Sequence, residues 1–461
     1  MFITPLMFGA VYGWAIGILE VVILAISGGW LWHRDEAEGF SWRQHWGLIP
    51  LLVFIALALA QLLPWPALIM QYLAPENLAA WIRLRELDLG TGRYFPVSLN
   101  PFATGYEGLK FFCYALAAWL TIDLIKQSRE GRAQNFAYAV ALVVCFTGAL
   151  ITAVAIVQTG LEAKQIYGFW KPYHSDQFIG PYVNRNNFAG YLEMALPMGI
   201  ALFGALTMQT QGSWDDTWDS RSDKRLALTF LVGLSVLLML TGLLFSLSRG
   251  GVLAGGVVVA AQVPFLLALV SRRSSRRKIL WCGLIAAIFI SVVGSLVPWE
   301  KLGGRFRTLP TESITMDIRY QVFKDTWDMA KDYPVLGSGL GSYERVFPRY
   351  KTWPTQSLFQ HAHNDYLEFL SEMGWAGFLP LMVFFSWVVI RGLKYLAFTL
   401  RLGARCPRAV VSRACLVSGS LGGVIAILLH GTVDFNLHIP ANALLFFVLC
   451  GITVSFRPEK I

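Results

Sequence analysis

Charge is scarce in this chain. Charged residues fill only 15% of 461 positions, while 55% are hydrophobic. A single soluble core has no use for that much apolar material, so an ordinary soluble domain is excluded. Cysteine is scarce too. Cys113, Cys145, Cys282, Cys406, Cys415 and Cys450 fall in apolar runs or on the basic side of the chain, none in a long loop. No structural disulfide is therefore expected, and the spacing fits no metal motif. A fixed-period repeat, a low-complexity tail and a soluble appendage are also missing. The opening lacks a basic stretch followed by a small-residue cleavage site, so no cleavable signal peptide is expected. No basic face is interleaved with stacking aromatics, which argues against a nucleic-acid partner. The net charge of +9 reflects a one-sided distribution of Lys and Arg instead.

What is present is a series of apolar runs long enough to cross a hydrocarbon layer, which takes about 20 residues each. Backbone groups in lipid must be paired within the segment or around a closed barrel. Barrel strands alternate polar and apolar residues, and these runs do not. The expected fold is an all-α polytopic membrane protein with one integral domain over 1–461. Spans are predicted near 5–32, 47–64, 108–126, 136–158, 188–209, 227–247, 251–270, 279–298, 367–392, 414–431 and 440–456. That is about eleven, or twelve if residues 1–32 form a tight pair. The first run is too long for one upright helix and is expected to tilt or to break at Gly13 or Gly17.

Basic residues set the orientation. "KQSREGR" at 126–132, "SRRSSRRK" at 271–278 and the stretch from Arg391 to Arg413 belong in the cytoplasm. The long loops near 65–107, 159–187 and 299–366 then face outward. The largest, 299–366, contains "MDIRYQVFKDTWDMAKDY", where Ile318, Val322, Trp327 and Ala330 recur at helical spacing. An amphipathic helix resting on the membrane core or surface is expected there. "PVLGSGLGSY" follows at 334–343. It resembles a nucleotide loop only faintly, because no strand precedes it. A tight turn that lets backbone pack closely is the expectation.

The chemistry concentrates in "HAHNDYLEFLSEMGWAGF", residues 361–378. Asp365 with Glu368 three residues on reads as a capping box. That places His363 at the positive end of a helix, where a neutral imidazole is favoured and can take a proton from a hydroxyl. A plain polar interface histidine is the competing reading. Gly374 and Gly377 would let a neighbouring helix approach closely. His361, His363 and Asp365 form HxHxD, and "HGTVDFNLH" could add His430, Asp434 or His438 from another loop. The following sequence is helical and no further ligand is near in sequence, so no metal is expected. Arg185 in "GPYVNRNNFAGYLEM" and Arg249 in "SLSRGG" sit at the outward ends of spans, against the charge bias, and Arg319 lies on the amphipathic helix. Snorkelling would explain either of the first two alone. Guanidinium forks suit phosphate, so together they suggest an anionic, lipid-anchored substrate.

These residues resemble the O-antigen ligase and polymerase family. A ligase pattern runs His, then Asn, Ser or Gln, nine further residues, Gly, and a small or Tyr residue three on. His363, Asn364, Gly374 and Gly377 fill it in register. The two arginine segments and "PVLGSGLGSY" are similar to recurring family segments, and the resemblance spans roughly 160–440. It implies a bacterial inner-membrane glycosyltransferase of GT-C-like architecture, acting at the periplasmic face without metal, nucleotide or other cofactor. The implied donor is a glycan on undecaprenyl pyrophosphate, and the acceptor of a ligase is a sugar of the lipid A core. Repeat-unit polymerases and protein O-oligosaccharyltransferases share the core. The resemblance implies that His363 activates the acceptor hydroxyl and that Arg185 and Arg249 hold pyrophosphate. Arg319 is added from its location. Asn364, Asp365, Gly374, Gly377, His430 and Asp434 are expected in support, with Asp365 or Glu368 orienting the histidine. The family keeps both chain ends inside, whereas an odd span count here puts the N-terminus outside. A transporter of lipid-linked glycans is the rival from another class. It would show paired broken helices and mid-membrane charge, for which Glu20 and Glu193 are the candidates.

Overall fold

Apolar runs become helices here because a helix pairs every backbone group within its own segment. A computed structural model of the chain describes residues 1–33, 45–86, 93–127, 130–171, 179–209, 220–270, 313–354, 358–403 and 406–457. Within them the fold is all-α, apart from a short antiparallel ribbon in which Trp65 faces Phe95. We number the main helices α1 (Gly13–Trp32), α2 (Ile49–Ala60), α3 (Pro101–Gln127), α4 (Glu130–Gly160), α5 (Arg185–Gln209) and α6 (Ser220–Phe245). They continue as α7 (Arg249–Val270), α8 (Ser313–Asp332), α9 (Asp365–Leu402), α10 (Arg408–His430) and α11 (Pro440–Ser455).

Among the described residues, eight of these helices are long and apolar enough to cross a membrane. The chain is a polytopic membrane protein. The long first run does break: a short helix, Ile3–Leu6, and a tight turn, Phe8–Ala10, precede α1, which begins at Gly13. Two expected spans are shorter than a full crossing, with apolar helix only over Trp46–Ala60 and Pro440–Ser455. The span near 367–392 is longer than expected, because α9 continues to Leu402. The expected span at 279–298 lies outside the described residues.

α5 and α10 form the centre of the bundle. Glycines on α10 set how closely they meet: a Cβ at Gly419 would stand 2.6 Å from that of Ala201, and one at Gly423 2.8 Å from the Met194 carbonyl. Small residues at such a crossing let backbones approach, which drives helix association in lipid. Gln262 Nε2 on α7 donates to the Pro197 carbonyl of α5 at 2.8 Å, which ties a third helix to the pair.

The glycine-rich loop at 334–341 packs closely, as expected, and its partner is α9. Gly374 breaks α9 with φ 57°, a left-handed conformation that favours glycine. Added Cβ atoms at Gly374 and Gly337 would run into the Val335 and Glu372 carbonyls, respectively. The interrupted helix backbone is satisfied by the loop: Trp375 N donates to Pro334 O (2.8 Å), Ala376 N to Val335 O (3.1 Å), and Gly339 N in return to Glu372 O (2.9 Å). Gly374 therefore admits a loop rather than a neighbouring helix. At Gly377 the nearest atoms to an added Cβ belong to the Met373 side chain of the same helix.

α8 is amphipathic as expected, with Val322 and Ala330 buried and Ile318 packed beside them, but Trp327 departs from the expected face. Val322 and Met329 are buried with Tyr333, Tyr343 and Phe347, while Trp327 is 46% exposed. Asp325 is buried in the next turn. It accepts from Thr352 N (3.1 Å) and Trp353 Nε1 (3.0 Å), so one carboxylate rather than an aromatic ring fixes the following loop.

Candidate active site

α9 begins where α10 ends. Asn364, not Asp365, is the N-cap: its Oδ1 accepts from Tyr366 N and Leu367 N, both at 3.0 Å. Its Nδ2 donates to Thr432 O at 2.9 Å, which joins the helix start to the 431–439 loop. The expected capping box is thus corrected. With the cap supplied by Asn364, the carboxylates of the first turn are free to face that loop. Asp365 accepts from Leu437 N (3.2 Å) and meets His438 Nδ1 at 2.8 Å. Glu368 accepts from Ala362 N (2.7 Å) and meets His361 Nδ1 at 2.7 Å.

His363 stands just before the cap with φ 53°. A left-handed histidine is uncommon and costs free energy, so the surrounding contacts must hold it there. Its ring lies edge-on to Phe435 at 5.0 Å, and a quarter of the side chain is exposed. Nδ1 points at Asp434 Oδ1 across 3.8 Å. That is an approach rather than a hydrogen bond. Nδ1 is buried and has no hydrogen-bond partner among the described residues. Asp365 and Glu368 are engaged by His438 and His361, and the carboxylate nearest to Nδ1 of His363 is that of Asp434.

Asp434 is fully buried. Its Oδ1 accepts from Phe435 N at 2.9 Å, and its Oδ2 accepts from Asn186 Nδ2. Arg319 approaches Oδ2 at 3.9 Å and donates to Val433 O at 3.2 Å. Burial would raise this carboxyl. His363, His430 and Arg319 outweigh that and hold it well below the usual carboxylate range, so it stays ionised.

His363, Asp434 and Arg319 are thus brought together. Arg185 and Arg249 open α5 and α7 at the same end of the bundle. Each has a neighbour in the site: Asn186 holds Asp434, and a Cβ at Gly250 would stand 2.5 Å from the His430 ring. His430 lies under the site, its Nδ1 3.0 and 3.1 Å from the two oxygens of buried Glu193. Glu193 is therefore half of a closed pair. Glu20, the other intramembrane acid, is also buried.

The HxHxD reading does not survive as a set. His361 turns to Glu368 and His363 to Asp434. His361, Glu368 and His438 instead come together, with ligand atoms all within 4.8 Å. Burial would lower the His438 imidazole, but Glu368, Asp365 and Glu372 push it up to about 10. Asn186 was missed as a site residue, and His438 was weighed only as a metal ligand. Their signals were the run of asparagines in "VNRNNF" and the placement of His438 one helical turn past Asp434 in "DFNLH".

Residues 234–382 match the model of a family described as O-antigen ligase. That stretch contains Arg249, Arg319, His363, Asn364, Asp365, Gly374 and Gly377, while Arg185, His430 and Asp434 lie outside it. No curated protein matches the chain. The match supports glycan transfer of ligase or polymerase type in a membrane protein.

Proposed function

We propose that this chain, which carries the O-antigen ligase family region, is an inner-membrane ligase working at the periplasmic face. It would move a glycan from undecaprenyl pyrophosphate to a hydroxyl of the lipid A core. The observation that carries the reading is His363 set between Asp434 and the open end of the bundle, with Arg319 beside the same carboxylate. An acceptor hydroxyl gives its proton to Nε2 of His363 while its oxygen attacks the anomeric carbon. The bond from that carbon to the pyrophosphate oxygen breaks, the electron pair leaves with the pyrophosphate, and the configuration inverts. Asp434 stays ionised and faces the Nδ1 side of the imidazolium that forms. Arg319, with Arg185 and Arg249, stabilises charge on the departing pyrophosphate from fixed positions. Holding both lipid-anchored substrates at one face removes much of the entropic cost of their meeting.

The test is purified protein in liposomes with a lipid-linked glycan donor and a lipid A-core acceptor. A new glycosidic bond on the acceptor supports the ligase. Extension of the donor itself would indicate a repeat-unit polymerase, and a glycosylated Ser or Thr of an added protein a protein transferase. Movement of donor across the bilayer with no bond formed would indicate a transporter. In the same assay Arg249→Lys keeps the charge and can still snorkel, but loses the two-point fork. The lysine variant should transfer slowly and Arg249→Ala hardly at all, with both correctly inserted. A fully active Arg249→Ala protein would remove Arg249 from the site.

A further inference from the structure

Four side chains beside His363 take no part in that transfer: His361, Glu368, His438 and Asp365. We propose that His361, Glu368 and His438 bind one zinc-type divalent cation next to the transfer site, with Asp365 orienting one of its ligands.

The donor set is two imidazoles and one carboxylate, which suits zinc and its first-row neighbours. One spacing is already what an ion needs, and the other is a hydrogen bond that the ion must open. Bonds of about 2.0–2.2 Å place tetrahedral ligand atoms about 3.3–3.5 Å apart. His438 Nε2 and Glu368 Oε1 are 3.4 Å apart, His361 Nδ1 and Glu368 Oε1 are 2.7 Å apart, and all three atoms lie within 4.8 Å of one another.

A second, independent observation points to a ligand. The His438 side chain is 94% buried, yet its Nε2 has no hydrogen-bond partner and is aimed into the cluster. A buried polar atom left in this way costs free energy unless something takes it up. The rest of the ring is already committed: Nδ1 lies 2.8 Å from Asp365 Oδ1. A carboxylate on the far nitrogen is how metal-binding histidines are commonly fixed, because it sets tautomer and ring orientation. Glu368 is prepared in the same manner. Ala362 N occupies Oε2 at 2.7 Å and leaves Oε1 facing the two imidazoles. Both rings are clamped by stacking, His361 on Phe435 at 4.4 Å and His438 on Phe369 at 4.7 Å. The His361 side chain is 29% exposed, which gives an ion a way in.

Charge balances: two carboxylates, Asp365 and Glu368, against one divalent ion and two neutral imidazoles. The ion would pin the first turn of α9 to the 431–439 loop. Those are the segments that carry His363 and Asp434, so its role is to hold them in register while staying out of the transfer step.

The test uses full-length protein in detergent, stripped with chelator, dialysed against Zn²⁺ and counted by elemental analysis, with Co²⁺ as a visible probe. The expected result is one retained ion per chain with cobalt bands of a low-symmetry site. His361→Ala and His438→Ala should each weaken retention at least about tenfold, as loss of a ligand or its support does. His363→Ala should retain the ion. If His438→Ala does not fold, His361→Ala and Glu368→Gln decide the matter, since the His361 ring is partly exposed. Wild-type protein that retains no ion, or a His361→Ala variant that retains it as wild type does, would overturn the proposal and leave a paired-charge cluster. The readout is metal content, so it stands apart from transfer. Protein that binds the ion but transfers no glycan would overturn only the ligase reading.

Discussion

His363→Ala should abolish detectable transfer while the protein still inserts and binds donor. Loss of a general base costs about 10²–10⁴-fold, and the drop should fall on kcat rather than on the KM for donor. The structure gives this histidine a feature that a packing residue would not need. It is held at φ 53° with a buried Nδ1 that has no hydrogen-bond partner among the described residues and is turned to a buried carboxylate. Alanine keeps the Cβ and with it the backbone strain at φ 53°, but it removes a ring that is a quarter exposed, so stability should change little. His361→Ala removes a ring paired with Glu368 and should lower transfer much less. Near-normal transfer by His363→Ala in liposomes would end its role as base. An equal loss in both variants would point to the cluster as a unit.

The membrane architecture and the position of His363 could be read from the chain because each rests on a local pattern. Apolar runs report spans one at a time, and "HNDYLEF" marks a helix start whichever residue caps it. The partnerships could not be read in this way. Asp365, Glu368 and Asp434 are three carboxylates of similar reach, and which one serves His363 depends on how the 431–439 loop folds back over α9. Asn364 decides it. By taking both the cap and the Thr432 carbonyl, it turns the first-turn carboxylates toward His438 and His361. Gly374 shows the same limit. Its small size was legible as a close approach, but the approaching partner, a loop from 334–341, is a tertiary fact. Glu193 looked like an isolated acid in a span until His430, more than two hundred residues away, was found against it.

Asp434→Asn should produce a loss of transfer close to that of His363→Ala, by a different route. Asparagine has nearly the same shape, so the loop should keep its course and its Oδ1 can still accept from Phe435 N. What disappears is the negative charge facing Nδ1 and beside Arg319, together with the Oδ2 acceptor of Asn186, whose side-chain amide must turn over to answer the new NH₂ group. An imidazolium formed on His363 then has no counter-charge, and the neutral ring has no reason to keep its proton on the Nδ1 side. In the Ser-His-Asp template, the corresponding change costs about 10⁴ in kcat. A loss of about 10²–10⁴-fold is expected here, with donor binding reduced less, since Arg319 stays tied to Val433 O. Stability measured against pH separates this role from a structural one. The Asp434 carboxyl is held well below its usual value, so its contribution to stability is complete above the unfolded pKa of about 3.9 and is lost as pH falls through the folded value. The stability gap between wild type and Asp434→Asn should therefore be flat from about pH 5 upward and narrow only in stronger acid. Transfer, in contrast, should differ between the two throughout the neutral range. An Asp434→Asn enzyme with wild-type kcat would show that His363 needs no orienting carboxylate. A loss of kcat that disappears when the variant is restabilised would make Asp434 a structural residue.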